Sequence, residues 1–251
     1  MLPAQLTMMA IQGIPEVSPG DDLAGLLIRA MVSDALAFLE SDIVILAQKI
    51  VSKSEGRLVD LEKVKVDGFA RKWSRKHGKD ERITQVVLNE STRIVRMDRG
   101  RLIVETHSGL ICANAGVDAS NVPDGMVSLL PVDSDKSARR LRSQLHQCTG
   151  IAPGIIISDT FGRPWRIGQI NVALGVAGLP SRLDYRGALD SFGRTLKATQ
   201  IAVADELAAA AGLLMGKTLG LPAVLIRGLE LGSQGGTGLD LIRRPDLDLF
   251  R

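Results

Sequence analysis

Cysteine, histidine and aromatic residues are scarce in this chain of 251 residues, and each shortage excludes a class of protein. Cys112 and Cys148 are the only cysteines, too few for a disulfide framework or a cysteine-rich zinc site, so a reducing compartment is expected. The three histidines are scattered without the spacing of a zinc motif. Aromatic residues make up only 3% of the chain, so a platform for stacking nucleic-acid bases is absent.

Long apolar runs and a strong net charge are also missing. The longest apolar run, around residues 207–215, is far shorter than the roughly 18 residues that a membrane span requires. The N-terminus lacks the basic region and apolar core of a secretory signal. The net charge of +3 favours anionic ligands only mildly and does not indicate a nucleic-acid-binding protein. We therefore expect a cytoplasmic protein.

Aliphatic residues are abundant, and their spacing predicts a mixed α/β fold. Hydrophobic residues make up 45% of the chain, enough for one sizeable core. Apolar strands alternate with amphipathic helices along the sequence. The expected strands are Leu6–Ile11, Ile43–Leu46, a hairpin around residues 94–104, Ile155–Ile157, Ile170–Val176 and Ala223–Ile226. The expected helices run from Asp21 or Asp22 to near Glu40, over residues 67–92 with a break at Gly78, from Ser134 to Leu145, and from about Thr195 to Met215, the longest. The tail from Gly232, with the apolar patch Leu247, Leu249 and Phe250, is expected to be mobile.

A basic segment, QKIVSKSEGR, follows the second expected strand. It carries Lys49, Lys53 and Arg57 beyond the carboxyl end of that strand, where α/β proteins usually hold their ligands. The segment predicts a loop that holds phosphate, although it has too few glycines for a Walker motif.

The segment GIIISDTFGRPWRIGQ, residues 154–169, changes abruptly from apolar to polar. Three isoleucines predict a buried strand, and Asp159 and Thr160 follow it as oxygen ligands for a metal ion. Gly162 and Gly168 are expected to turn the following loop. Arg163 and Arg166 bring two positive charges to the same loop, where they can bind acidic substrates.

A second acidic segment, residues 106–125, repeats this logic with Asp118 and Asn121 after an apolar strand. Two carboxylates from distant parts of the chain, Asp118 and Asp159, could share one divalent cation. The alternative is that each aspartate caps a turn, since Asp and Asn are ordinary turn residues. From the residues alone, both interpretations stay open.

Six motifs in order resemble one known family. They are GIPEVSPGDDL, QKIVSKSEGR, NAGVDASN, SDTFGRPWRIGQ, ADELAAAAGLLMGK and PAVLIRGL, and the likeness runs from Gly13 to Leu229. The family is that of the coenzyme F420-0:L-glutamate ligases, the gamma-glutamyl ligases of deazaflavin coenzyme biosynthesis. Six separated motifs are far more specific than any single short pattern.

The resemblance implies a GTP-dependent, GDP-forming ligase with an unusual mixed α/β fold. Such an enzyme joins L-glutamate to F420-0 through an acyl phosphate and then adds a further glutamate through a gamma linkage. It implies Mg²⁺ or Mn²⁺, with K⁺ as a further cofactor, and a homodimer. Residues 1–251 are expected to form a single ligase module, of one domain or two intertwined subdomains, without the C-terminal flavin-reductase-like domain of many bacterial relatives.

The resemblance also assigns residues. Asp118 and Asp159 correspond to ligands of one divalent cation, with Thr160 near a second. The positions where the family holds GTP are Ile14, Pro15, Glu16, Val17, Gln48, Lys49, Lys53, Asn121, Met215, Gly216, Lys217, Thr218, Leu219, Gly220 and Leu221. Archaeal members carry an acidic, glycine-rich turn where this chain has Lys217, so one expected acidic metal ligand is missing.

Two other functions are compatible with these residues. One is an amide ligase that acts on a different acidic acceptor, because acceptor pockets are built from variable loops. The other is a nucleotide-binding or flavin-binding module without catalysis. The two carboxylates argue against the second, since binding a polyphosphate alone does not require them.

Overall fold

The computed structural model describes residues 5–232 and 235–248. In these ranges the α-helices are α1 (Leu23–Ser33), α2 (Gln48–Ser54), α3 (Gly68–His77), α4 (Glu81–Asn89), α5 (Ser134–Thr149) and α6 (Val203–Met215). The strands are β1 (Thr7–Ala10), β2 (Ile43–Ala47), β3 (Leu58–Asp60), β4 (Ser91–Asp98), β5 (Arg101–Thr106), β6 (Ile111–Ala113), β7 (Met126–Ser128), β8 (Gly154–Arg163), β9 (Arg166–Ala177), β10 (Leu183–Asp184), β11 (Gln200–Ile201) and β12 (Ala223–Arg227). The mixed α/β class predicted from the sequence is confirmed.

A five-stranded sheet in the order β1-β12-β2-β8-β9 forms the centre of the molecule. Its only parallel pair in the described chain is β2 with β8, and the other neighbours are antiparallel. Parallel strands need a long crossover. Here the crossover contains α2 to α5 and all of the smaller β3-β7 and β4-β5-β6 sheets.

Helices cover both faces of the central sheet. Ile155 and Ile157 pack in a cluster with α1 and α5, whereas Ile156 packs on the opposite face in a cluster with α6. All three isoleucines are fully buried. Such a continuous apolar run is expected for a strand whose two faces are both covered.

The second part of the molecule lies between residues 58 and 128. Its helices α3 and α4 pack against the three-stranded sheet through a cluster that includes Trp73, Val87 and Val104. Gly78 ends α3 in the left-handed conformation, with φ of +62°, so the predicted break is confirmed. The predicted hairpin around residues 94–104 is also confirmed as β4 and β5.

Three predicted helix boundaries are wrong, including the end of α5, which lies at Thr149 instead of Leu145. The first helix ends at Ser33 instead of near Glu40, because Ala35 adopts φ of +55° and Leu36 N–H closes the turn on the carbonyl of Met31. The helix predicted from Thr195 begins only at Val203, after the short strand β11. At 16 residues, α5 is therefore the longest helix in the described chain, since α6 has 13.

Two predicted loops are regular elements. The segment after β2 is a helix, α2, and its buried residues Ile50 and Val51 explain why it packs down instead of forming a phosphate loop. Residues 154–177 form a long hairpin of β8 and β9, which turns between Arg163 and Arg166. Trp165 takes the left-handed conformation at this turn, with φ of +57°, and the predicted Gly162 does not. Gly168, the other predicted turn residue, has φ of +93° but lies within β9.

None of the helices in the described ranges is long and apolar enough to cross a membrane. In the predicted C-terminal apolar patch, Leu247 is exposed, whereas Leu249 and Phe250 lie outside the described residues. The predicted strands at β1, β2 and β12 and the start of α5 are confirmed.

Replacement of Gly175 on β9 tests the packing of α5 against the sheet. A Cβ at Gly175 would lie 2.2 Å from the backbone oxygen of Ser134, at the start of α5. Backbone cannot yield as a flexible side chain does, so Gly175→Ala should lower the free energy of unfolding by about 3 kcal/mol. Gly162→Ala is the control, because a Cβ added at Gly162 would have no other atom within 4 Å. Urea denaturation measures both, and equal stability of the two variants would contradict this packing.

Candidate active site

The site begins where β2 and β8 end side by side. Ala47, the last residue of β2, pairs with Ser158 of β8, so the two carboxyl ends lie at the same level. The chain continues from β2 directly into α2, whereas β8 continues outward with Asp159 and Thr160. The parallel register therefore places the start of α2 beside Asp159.

A cavity of about 470 Å³ opens at this edge of the sheet. This volume is in the usual range for small-molecule and cofactor sites. All residues predicted for GTP line it except Leu219, whose side chain is exposed. Asp118, Asp159 and Thr160, the predicted metal ligands, line it as well. Five distant segments thus meet at one cavity.

Asp118 reaches the cavity through a bridge to β7 and a salt bridge to α2. Its backbone pairs with Ser128, and its Oδ1 accepts a hydrogen bond of 2.7 Å from Ser120 N–H. Its Oδ2 accepts a 2.6 Å bond from Lys49 Nζ. Burial opposes the charge of Asp118, but Lys49 and Ser120 outweigh it and hold its pKa below the ordinary value. The carboxylate thus caps a turn and faces the cavity at once.

The pKa of the Asp159 carboxyl is raised, whereas that of Asp118 is lowered. Burial raises the pKa of its carboxyl to about 6, and the nearby charge of Asp118 adds to this effect. The backbone N–H of Thr160 and the ammonium groups of Lys217 and Lys49 oppose it. The two aspartates are therefore close enough to influence one another, as the sequence predicted.

A second ion pair lies one helical turn further along α2. Lys53 follows Lys49 by four residues, so both amines project from the same side of the helix. Lys53 is almost fully buried and donates to Glu16, whose side chain is 77% exposed. The residues before α1 thereby close over α2 and form one wall of the cavity.

Lys217 approaches from the turn after α6. Its amine donates to the hydroxyl of Thr160, which in turn donates to Asn171 Oδ1 at 2.9 Å. Thr160 and Asn171 are paired residues of the β8-β9 hairpin. The nitrogen of the Asn171 amide lies 3.8 Å from the sulfur of Met215, the last residue of α6. These contacts join the hairpin to the turn that carries Lys217.

Arg163 and Arg166 lie apart from the cavity. They pair with one another at the far end of the hairpin, and neither lines the cavity. Arg163 is four residues beyond Asp159, roughly 13 Å along an extended strand. Its Nε is buried and has no hydrogen-bond partner among the described residues. The loop expected to bring these arginines beside Asp159 is instead an extended hairpin.

The donor atoms of the cavity suit one hard divalent cation. Asp118 and Asp159 supply carboxylate oxygens, and Thr160 supplies a hydroxyl. Mg²⁺ and Mn²⁺ prefer oxygen ligands of this kind and often complete their coordination with water and phosphate. In the described part of the chain, no group of three or more His, Cys, Asp and Glu residues forms a ready-made metal cage. A cation here would complete its coordination with water or substrate oxygens.

Asn171 and Ser158 line the cavity but were not among the predicted site residues. Asn171 is placed there by its pairing with Thr160 across the hairpin. The sequence carries one signal for it: a polar residue lies between the apolar positions Ile170 and Val172 of an alternating strand. The signal identifies the face of the strand but not the residue opposite it.

Comparisons with known proteins identify the family of this chain. The model of the F420-0:Gamma-glutamyl ligase family matches residues 12–228. The coenzyme F420:L-glutamate ligase of Methanothermobacter thermautotrophicus is 44% identical over 98% of this chain and 99% of its own length. That of Methanopyrus kandleri is 42% identical over 98% and 99%.

A third relative, the coenzyme F420:L-glutamate ligase of Methanocaldococcus jannaschii, is 41% identical over 84% of this chain and 85% of its own. The match to the family model covers the segments that line the cavity: the residues before α1, the start of α2, the region of Asp118, the hairpin and the turn after α6. With this coverage and identity, the chain belongs to the F420-0:Gamma-glutamyl ligase family of enzymes.

Proposed function

We propose that this chain is a GTP-dependent ligase that adds L-glutamate to coenzyme F420-0 and then a gamma-linked glutamate to the product. One observation carries the proposal. Asp118 and Asp159, from distant parts of the chain, share a single cavity with Lys49, Lys53 and Lys217. The cavity thus combines carboxylates for a cation with amines for phosphate. The names of the relatives supply the acceptor and the amino acid.

The proposed reaction has two steps because a carboxylate is a poor acyl donor. A carboxylate oxygen of the acceptor attacks the γ-phosphorus of GTP, the bond from that phosphorus to the bridging oxygen breaks, and GDP leaves. The amine nitrogen of glutamate then attacks the acyl carbon, loses a proton and displaces phosphate to form the amide. Catalysis of such steps is mostly positioning and neutralisation of charge.

The residues of the cavity have distinct roles in this proposal. Asp118 and Asp159, with Thr160 beside them, hold a Mg²⁺ or Mn²⁺ ion, which neutralises phosphate charge when bound. Lys49 and Lys53 face the cavity from the same side of α2 and bind the phosphates. The residues 14–17 and the turn after α6 form the two walls between which the nucleotide lies. K⁺ is proposed as a further cofactor because the family resemblance implies it.

Arg163 and Arg166 are proposed to bind the acidic acceptor at a distance from the reacting carboxylate. The buried, unpartnered Nε of Arg163 supports this role, because such a donor is costly unless a ligand pairs with it. Arg163→Ala and Arg166→Ala should each raise the KM for F420-0 about tenfold, with a smaller change in kcat. Arg139→Ala is the control in steady-state assays, because Arg139 is exposed on α5. An unchanged KM in both hairpin variants would contradict the assignment.

One incubation tests the function itself. The purified chain with GTP, Mn²⁺, L-glutamate and F420-0 should yield GDP, phosphate and a product heavier by one or two glutamate residues, read by mass spectrometry. Product formed only with another acidic acceptor would point to a different amide ligase. Binding of GTP without turnover on any acceptor would point to a non-catalytic nucleotide-binding module.

The same assay tests the two aspartates. Asp118→Asn and Asp159→Asn should each lower kcat at least about 100-fold, because the amide cannot supply the charge that holds the cation. Asp124→Asn is the matched control, since this aspartate is exposed and does not line the cavity. Unfolding in urea checks that all three variants are folded. Near-normal turnover in both Asp118→Asn and Asp159→Asn would contradict the assignment of these aspartates as metal ligands.

A cytoplasmic homodimer is proposed as the working form. The cytoplasm supplies GTP and keeps the two free cysteines reduced. Trp165 and Ile167 at the hairpin end are 80% and 103% exposed, and large apolar side chains at a protruding end favour burial by a partner. Multi-angle light scattering should give about twice the 26.9 kDa of one chain, and Ile167→Asp should shift the mass towards the monomer. A monomeric wild-type protein would refute the dimer.

A further inference from the structure

Lys217 differs from the other lysines of the cavity in its partner. Lys49 pairs with Asp118, and Lys53 pairs with Glu16, so both of these amines are already neutralised by carboxylates. Lys217 makes no ion pair within the described ranges, and its one side-chain hydrogen bond goes to the neutral hydroxyl of Thr160. Of the three cavity lysines, it is therefore the one whose charge can meet a ligand without first breaking an ion pair.

The position of this amine is well defined by its neighbours. Thr160 uses its hydroxyl hydrogen for Asn171, so its oxygen is left to accept from Lys217. The backbone before Lys217 turns sharply at Gly216, which has φ of +56° and ends α6. A Cβ at Gly216 would lie 2.9 Å from the side chain of Leu219, so the turn is closely packed. The helix end and the hairpin together aim the amine into the cavity.

The charges around this amine favour an anion. Lys217 donates to Thr160, the residue after Asp159, and all three line the same part of the cavity. A cation held by Asp118 and Asp159 would repel the ammonium group unless an anion lay between them. A terminal phosphate meets this requirement, because its oxygens can accept from the amine and contact the cation at the same time.

We propose that Lys217 binds the terminal phosphate of the nucleotide and occupies the place beside Thr160 that a second divalent cation would need. This inference rests on the proposed function, since it takes GTP as the ligand. The amine donates hydrogen bonds to non-bridging oxygens of the γ-phosphoryl group and gives up no proton. It neutralises the charge of that group while the group moves from GDP to the acceptor. The catalytic centre then contains a single divalent ion, and the ammonium group of Lys217 takes the place of a second.

Nucleotide affinity is the first test, measured by isothermal titration calorimetry with Mg²⁺ and either a non-hydrolysable GTP analogue or GDP. Lys217→Met should weaken binding of the analogue roughly 10- to 100-fold and binding of GDP much less, because only the triphosphate reaches the amine. Lys72→Met is the control with the same loss of charge, since Lys72 is exposed on α3 and does not line the cavity. Equal weakening of both nucleotides by Lys217→Met would overturn the contact with the terminal phosphate.

The number of bound metal ions is the second test, measured by electron paramagnetic resonance during titration with Mn²⁺ in the presence of the analogue. The wild-type chain should bind one Mn²⁺ per site, and Lys217→Glu should bind two, because a carboxylate replaces the ammonium beside Thr160. Two Mn²⁺ ions in the wild type would overturn the inference. A wild-type chain that binds neither nucleotide would instead refute the proposed function, so the two failures are distinguishable.

Discussion

The parallel pairing of β2 with β8 is the constraint on which the site depends. It sets Ala47 beside Ser158, and so the first turn of α2 beside Asp159. The pairing is held in place by burial, because Val44, Ile45, Ile155 and Ile156 are each fully buried between helices on both faces. A shift of one residue would exchange the two faces of β8 and turn Asp159 away from α2. The positions of the cavity residues thus depend on the packing of the aliphatic core.

The charges of the cavity are arranged in pairs that a ligand can rearrange. Lys49 holds Asp118 in its charged form, whereas Asp159 lies where burial opposes ionisation. A cation would favour the charged form of both carboxylates and would compete with Lys49 for Asp118. Under the proposed function, the amine released in this way would bind the phosphates that accompany the cation. Binding of metal and nucleotide would therefore support one another, as linked charges in a partly desolvated site require.

Local patterns in the sequence were informative about the type of most single elements, although not about all of their ends. The three isoleucines before Asp159 indicated a buried strand, and Gly78 marked the end of a helix. The errors occurred where a local pattern had two solutions. The residues after β2 form a helix because Ile50 and Val51 can pack on the core. The residues after Asp159 stay extended because β9 pairs with them through Arg163. Polar sequence alone could not reveal either contact.

The sequence by itself determined the class of fold and the family through six ordered motifs, and it predicted the acidic and basic residues that line one cavity. Only the tertiary structure decided how those residues are combined. It paired Lys49 with Asp118, joined Thr160 to Asn171, and left Lys217 without a carboxylate partner among the described residues. It also set Arg163 apart from the cavity. The physical reason is that these contacts join residues far apart in the chain, and their distances depend on strand register and helix packing.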